Sequence, residues 1–182
     1  MQRPLKMDET DLKLIIEALL VSAEEPLSLE SLEQAFLDWQ KPSREQIMTA
    51  LDALGSDYKV RAFELKKLAS GYCIQTKTQY STWIGRLQAE KPLKYSRALL
   101  ETLAIIAYQQ PVTRADIEAL RGVSLSHSIL KTLLEREWVK IAGHRDVPGK
   151  PAVYVTTNHF LDYFDLASLQ ELPPLEEVKH DQ

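Results

Sequence analysis

The sequence is short of the residues that most chemistry needs. It has one cysteine, Cys73, which cannot close an internal disulfide and has no second thiol for a metal site. Between Tyr72 and Ile74 it reads as a small core thiol rather than a nucleophile. Glycine is scarce, with six in 182 residues, and no glycine-rich loop of the kind that cradles phosphate is present. The histidines, His127, His144, His159 and His180, include no pair at the HxxxH spacing of a helical metal site. An HRD triplet at His144–Asp146 stands without the glycine-rich loop and DFG of a kinase. No run approaches the roughly 18 apolar residues of a membrane span, and MQRPLKMDETDLK at the N-terminus lacks an apolar core and a small-residue cleavage site. The expectation is a cytoplasmic binding module with no catalytic residues, no cofactor and no metal.

What charge there is lies unevenly. The net charge is −4, composed of −3 over residues 1–90, +4 over 91–160 and −5 over 161–182. An acidic chain is a poor prior for nucleic-acid binding.

The clearest local pattern runs from Ser96 to Gly122. Ser96 is placed to cap a helix with Leu99, Leu100, Leu103, Ile106 and Ala107 on its apolar face. Pro111 cannot continue that helix, because it has no N–H and clashes with the preceding turn. Val112 is free to make a short strand contact. Thr113 then caps a second helix, with Asp116 standing in for the capping-box glutamate. Ile117 and Leu120 face the core and Gly122 ends the helix. A third helix from about Ser126 presents Ile129, Leu130, Leu133 and Leu134 and stops before Trp138. In WVKIAGHRDVPGKPAVYVTT, Val139 and Ile141, then Val153 and Val155, alternate with other residues around a Pro-Gly turn, which predicts a hairpin. Three helices, a short strand and a hairpin make a winged helix.

The first half repeats the plan, with Pro26 on Pro111, Leu27 on Val112 and Leu32 on Ile117. Ser43 starts a third helix with Ile47, Met48, Leu51 and Leu54 inward, and RAFELKKLASGYCIQT reads as strand, Ser-Gly turn, strand. A helix from about Thr78 to Leu87 leads into a polar linker containing Pro92. The predicted fold is mainly α with small β-hairpins (α+β), as two tandem winged-helix domains. Their bounds are 1–90 and 91–165, followed by a partly disordered acidic tail over 166–182 that contains Pro173-Pro174.

A winged helix that reads DNA lays its third helix in the major groove and needs Arg, Lys, Asn or Gln there. The first candidate offers Arg44 and Gln46 among Glu45, Asp52 and Asp57; the second offers His127, Lys131 and Arg136 against Glu135 and Glu137. Neither is a good reader. The second wing, with Lys140, His144, Arg145 and Lys150, is better suited and would make weak, salt-sensitive phosphate contacts.

The segments LLETLAIIAYQQPVTRADIEALRGV, LKTLLERE, DVPGKPAVYVTT and FLDYFDLASLQELPPLEE resemble segregation and condensation protein B, a family of the kleisin-interacting tandem winged-helix group. The resemblance is sharp over residues 97–177. The sequence departs from the family where Glu137 and Asp165 stand in place of the usual glycine, and Lys150 in place of arginine. The resemblance implies a non-enzymatic subunit of a condensin-like SMC complex. It implies a homodimer joined through the first winged helix, a grip on the kleisin subunit, segregation and condensation protein A, and through it the SMC ATPase and the nucleoid. A tandem winged-helix transcription regulator is the alternative. For dimerisation the candidates are Phe36, Trp39, Phe63 and Trp83, large residues in surplus for a small domain. For kleisin binding they are Arg97, Tyr108, Arg145 and Tyr154, with LPPLEE as a secondary contact or an intramolecular strap; Tyr154 is expected to face out, opposite Val153 and Val155. For weak DNA contact they are Lys140, Arg145 and Lys150.

Overall fold

A computed structural model describes residues 9–88 and 94–174. The polar linker with Pro92 and the acidic end of the tail lie outside the described residues. The chain forms two compact units, residues 1–93 and 94–182.

In the first unit α1 (Glu9–Ser22), α2 (Leu29–Gln34) and α3 (Arg44–Asp57) are followed by a hairpin of β1 (Phe63–Lys67) and β2 (Tyr72–Thr76). A 3-10 turn over Thr78–Tyr80 leads into α4 (Ser81–Gln88). Leu12, Ile16 and Leu20 recur every four residues along α1 and meet Leu32 of α2 and Ile47, Leu51 and Leu54 of α3. Ser28 and Ser43 cap α2 and α3; at Ser43 the capping box is complete, with the Gln46 side chain accepting from the Ser43 N–H at 2.9 Å. The hairpin packs on this core through Phe63, Leu65, Tyr72 and Ile74. Tyr58 closes the lower edge, edge-on to Phe63 at 4.7 Å, and its hydroxyl donates to Glu17 at 2.6 Å. Burial, then the Glu17 carboxylate, hold the Tyr58 phenol well above its ordinary pKa.

The second unit repeats the order with α5 (Arg97–Gln109), β3 (Val112–Thr113), α6 (Arg114–Arg121), α7 (His127–Glu135), β4 (Val139–His144) and β5 (Ala152–Thr156), and adds α8 (Asn158–Tyr163). Its sheet runs β3-β5-β4, antiparallel throughout. Each unit is thus a winged helix. Thr113 and Asp116 make the capping box, and Gly122 ends α6 in the left-handed conformation at φ 70°. The alignment of the halves holds residue by residue: Leu27 bridges to Tyr72 as Val112 pairs with Tyr154, and Leu32 and Ile117 are both fully buried.

Several expected core positions face water instead. Met48, Leu100 and Leu120 are exposed. In α3 the inward stripe is completed by Ala50, and in α5 by Thr102, which is buried with its hydroxyl donating to Ala98 O at 2.8 Å. A polar residue that satisfies itself within its own helix can take a core position. Helix α6 has only two turns and Ile117 fills the space beneath it. Along β4 only Val139 is buried; Ile141, on the same face, is exposed because the strand runs past the core into the wing, with a register shift between Ile141 and Gly143.

Gly71 is required by close approach. A Cβ there would stand 2.2 Å from the Leu27 carbonyl oxygen, a gap no side chain can enter. By contrast Glu137 and Asp165 carry side chains at φ 55° and 64°. A non-glycine residue pays about 1–2 kcal/mol in that region. Replacing Glu137 by Gly is therefore expected to stabilise the protein by about 0.5–1 kcal/mol, after the added freedom of the unfolded chain is set against the relief. The check is a higher urea midpoint at unchanged slope.

Candidate functional site

In the first unit, the two candidate base readers at the start of α3 are both occupied. Arg44 Nε lies 2.6 Å from Glu33, and Gln46 is spent in its capping box. In the second unit every arginine among the described residues is engaged. Arg97 pairs with Glu101 at 2.8 Å, one turn along α5, and Arg121 with the same carboxylate at 3.7 Å. Arg114 pairs with Glu118 at 2.9 Å and donates to the Leu125 carbonyl; Glu118 also accepts the Leu125 N–H at 2.8 Å. That backbone N–H first, then Arg114, hold the Glu118 carboxyl below its ordinary range. This brace fixes the turn from α6 into α7. Arg136 stacks over Tyr95 and Trp138 at 4.9 and 5.3 Å.

Arg145, proposed from sequence for both kleisin and DNA, grips Asp116 with two nitrogens at 3.1 and 2.7 Å. Asp116 at the same time accepts from the Thr113 N–H and hydroxyl at 2.8 and 2.9 Å. One carboxylate therefore ties the wing to the start of α6. Arg145 first, then Thr113, hold its pKa at about 2. Lys140 and Lys150 remain exposed on the wing, as does His144. Lys140 borders an open cleft of about 670 Å³ with Glu137, Ile141, Thr156 and His159.

The four kleisin candidates fall on different elements. Arg97 and Tyr108 share α5. Tyr154 lies in the central strand, opposite Val112 on one side and Ile141 on the other, and it is half-buried, as are Val153 and Val155. The expected division into inward valines and an outward tyrosine does not hold, because both faces of β5 are partly covered. Of the dimerisation candidates, Phe36 and Phe63 pack against the core of the first unit; the expectation of a surplus at the surface is corrected for those two. Trp39 and Trp83 are exposed, at 61% and 65%.

Two apolar faces were not singled out from sequence. Helix α1 carries Leu14, Ile15, Ala18 and Val21 outward while Leu12, Ile16 and Leu20 point in. The signal was in LKLIIEALLV, which is apolar nearly all round and so has more than one face to bury. In the second unit a shallow cavity of about 230 Å³ is lined by Ala104, Ile105, Tyr108 and Gln109 of α5 and Leu120 of α6. Beyond it the exposed Leu100 extends the apolar surface along α5 toward Arg97. Among the described residues no group of three His, Cys, Asp or Glu could hold a metal, and no helix is long and apolar enough to cross a membrane.

The family model for the segregation and condensation complex subunit ScpB matches residues 14–175. A segregation and condensation protein B homolog from Coxiella burnetii is 51% identical over 172 residues, covering 94% of this chain and 82% of the relative. A crystal structure of ScpB from Mycobacterium tuberculosis is 30% identical and covers 87% of this chain and 98% of its own, with a TM-score of 0.40. A structure of a dimer of the ScpB N-terminal domain complexed with ScpA peptide is 23% identical and covers 43% of this chain and 93% of its own, with a TM-score of 0.38.

The Asp116 hub has a pH signature. With its folded pKa near 2 against an ordinary 3.8, Asp116 contributes stability that is fully present above about pH 4 and is lost as pH falls through about 2. Asp116→Asn is expected to be less stable than the parent at pH 6, and the gap should close as the pH is lowered toward 2. Urea melts of both proteins across that range measure it.

Proposed function

The chain belongs to the segregation and condensation complex subunit ScpB family, and on that footing we propose that it is a non-enzymatic binding subunit of a bacterial SMC complex. In this reading it binds the kleisin, segregation and condensation protein A, and serves chromosome condensation and segregation during cell division. It meets the SMC ATPase through the kleisin, and it resides in the cytoplasm at the nucleoid. The observation that supports this is a pairing of opposites. Arg44, Gln46, Lys131 and Arg136, on the helices with which a winged helix would read DNA, are occupied within the chain, while apolar faces on α1 and between α5 and α6 are uncovered.

The outer stripe of α1, with Trp39 and Trp83, is the proposed homodimer surface of the first unit. Two identical copies can bury such a stripe against itself about a two-fold axis. The α5–α6 cavity, with Tyr108 at one end and Arg97 at the far end of α5, is the proposed kleisin contact. Arg145 and Tyr154 act there by holding the wing and the sheet in place. Lys140 and Lys150 are left for weak DNA contact without sequence preference. The transcription-regulator reading has less support, since it would need Arg44, Gln46 or Arg136 to leave their present partners.

The test is to titrate the protein with a kleisin fragment and, separately, with duplex DNA at about 150 mM salt, where exposed charges are screened beyond about 8 Å. The kleisin complex is expected to persist and DNA binding to fade. Leu120→Ala should weaken the kleisin complex by about 1–2 kcal/mol while leaving the fold intact by circular dichroism. Nanomolar, sequence-dependent DNA affinity would instead support the regulator. For the dimer, Val21→Glu on the outer face of α1 is expected to give a folded monomer in sedimentation; an unaltered dimer would move that interface elsewhere.

A further inference from the structure

The segment after α8 is built with more care than a loose tail needs. The Leu166 N–H returns to Leu161 O at 2.8 Å, the Ala167 N–H donates to the Glu171 carboxylate at 2.7 Å, and the Leu172 N–H donates to Leu169 O at 3.2 Å. This series of closed turns brings Pro173 to α5, where its carbonyl accepts the Tyr108 hydroxyl at 2.5 Å. Tyr108 also lines the α5–α6 cavity. The same ring therefore lines the candidate groove and holds the chain that passes beside it.

We infer that Leu172–Pro174 is a strap that Tyr108 holds against the edge of this groove in the free protein, and that a peptide reaching across the groove past Tyr108 must displace it. The inference rests on the reading of the groove as the kleisin contact. The chemistry of the strap suits the task. Adjacent prolines hold a chain extended before it docks, and an extended, proline-containing chain against an aromatic ring is a recurring way for a peptide to be held in a groove. The two prolines have no N–H, so Pro173 can offer α5 only its carbonyl. A hold of that kind, one neutral hydrogen bond at a half-exposed tyrosine, is modest in net terms. It is enough to bias the groove toward closed and weak enough for a partner to overcome.

The test compares the full-length parent with Tyr108→Phe, which removes the hydroxyl and keeps the ring, and with the double variant Pro173→Gly, Pro174→Gly, which loosens the strap and leaves α5 untouched. A kleisin fragment is titrated into each by calorimetry, and amide exchange at Leu172 is followed in the free and bound parent. The expected result is about three- to tenfold tighter binding by the glycine pair, with faster exchange at Leu172 when the parent is bound. The phenylalanine variant should move the same way. Binding by the glycine pair with unchanged or lower affinity, together with unchanged protection at Leu172 in the complex, overturns the strap and leaves the kleisin reading standing. Failure of all three proteins to bind the fragment overturns the kleisin reading and the strap with it.

Discussion

In each unit a residue just after a proline pairs with the return strand of the hairpin. Leu27 and Tyr72 exchange both backbone hydrogen bonds, at 2.9 and 2.8 Å, and Val112 and Thr113 pair antiparallel with Tyr154 and Val153. The proline cannot continue a helix and leaves the chain extended, so these few residues can join a sheet whose other members come from about forty residues later. Without the pairing the hairpin would be a two-stranded ribbon, which is marginal alone in water. With it, the wing is fastened to the helices, and the first two helices are set at the angle that buries Leu32 and Ile117. The tight approach at Gly71 follows from the same pairing. So does the position of Thr113, which ends the short strand and at once begins α6, placing Asp116 where Arg145 of the wing can reach it.

That hub counts against reading the mildly basic block as a DNA-binding surface. A guanidinium with a carboxylate on two of its nitrogens is already charge-neutralised, and that carboxylate repels an incoming phosphate backbone. Where DNA affinity rests on phosphate neutralisation, each arginine spent inside the protein subtracts from it. The second unit spends them on architecture: Arg114 on the α6–α7 turn, Arg136 on the aromatic cluster, Arg145 on the wing. The lysines left exposed carry charge without the bidentate geometry that reads a base edge.

The layout of both units was legible because it is written in short-range chemistry. Ser43, Ser96, Thr113, Pro111 and Gly122 each have one conformational use at their positions, and the second copy of the pattern corroborates the first. Which apolar residues face the core was less legible. Met48, Leu100 and Leu120 satisfy the helical period as well as their buried neighbours do, and only the identity of the opposing element decides between them. Thr102 shows the converse, since its burial depends on a bond to Ala98 that composition does not reveal. The pairings Arg145–Asp116 and Tyr108–Pro173 join residues 29 and 65 positions apart. Nothing local marks them, and the sequence accordingly presented Arg145 as a free cation and Tyr108 as a free anchor. The positive φ angles at Glu137 and Asp165 were visible only as departures from a family pattern, and the structure supplies their physical meaning.

The misplaced leucines are also what the candidate surfaces are made of. Leu100 and Leu120 on the second unit, and Leu14, Ile15 and Val21 on the first, are the residues a helix carries beyond the needs of its own core. A cavity of about 230 Å³ is smaller than the roughly 300–1,000 Å³ of a small-molecule site, and it is open at the surface, so it suits one or two side chains of an extended peptide. Affinity at such a site must come from a few anchors and from the order already present in the groove. The α1 stripe is of another kind. Each large side chain there gains on the order of 1.5–3 kcal/mol on full burial, and the modest charge of −3 over residues 1–90 opposes a second copy only weakly at physiological salt, where the Debye length is about 8 Å. Under the proposed reading, apolar burial therefore decides the first surface and a small number of specific contacts the second, two different demands met by the same fold.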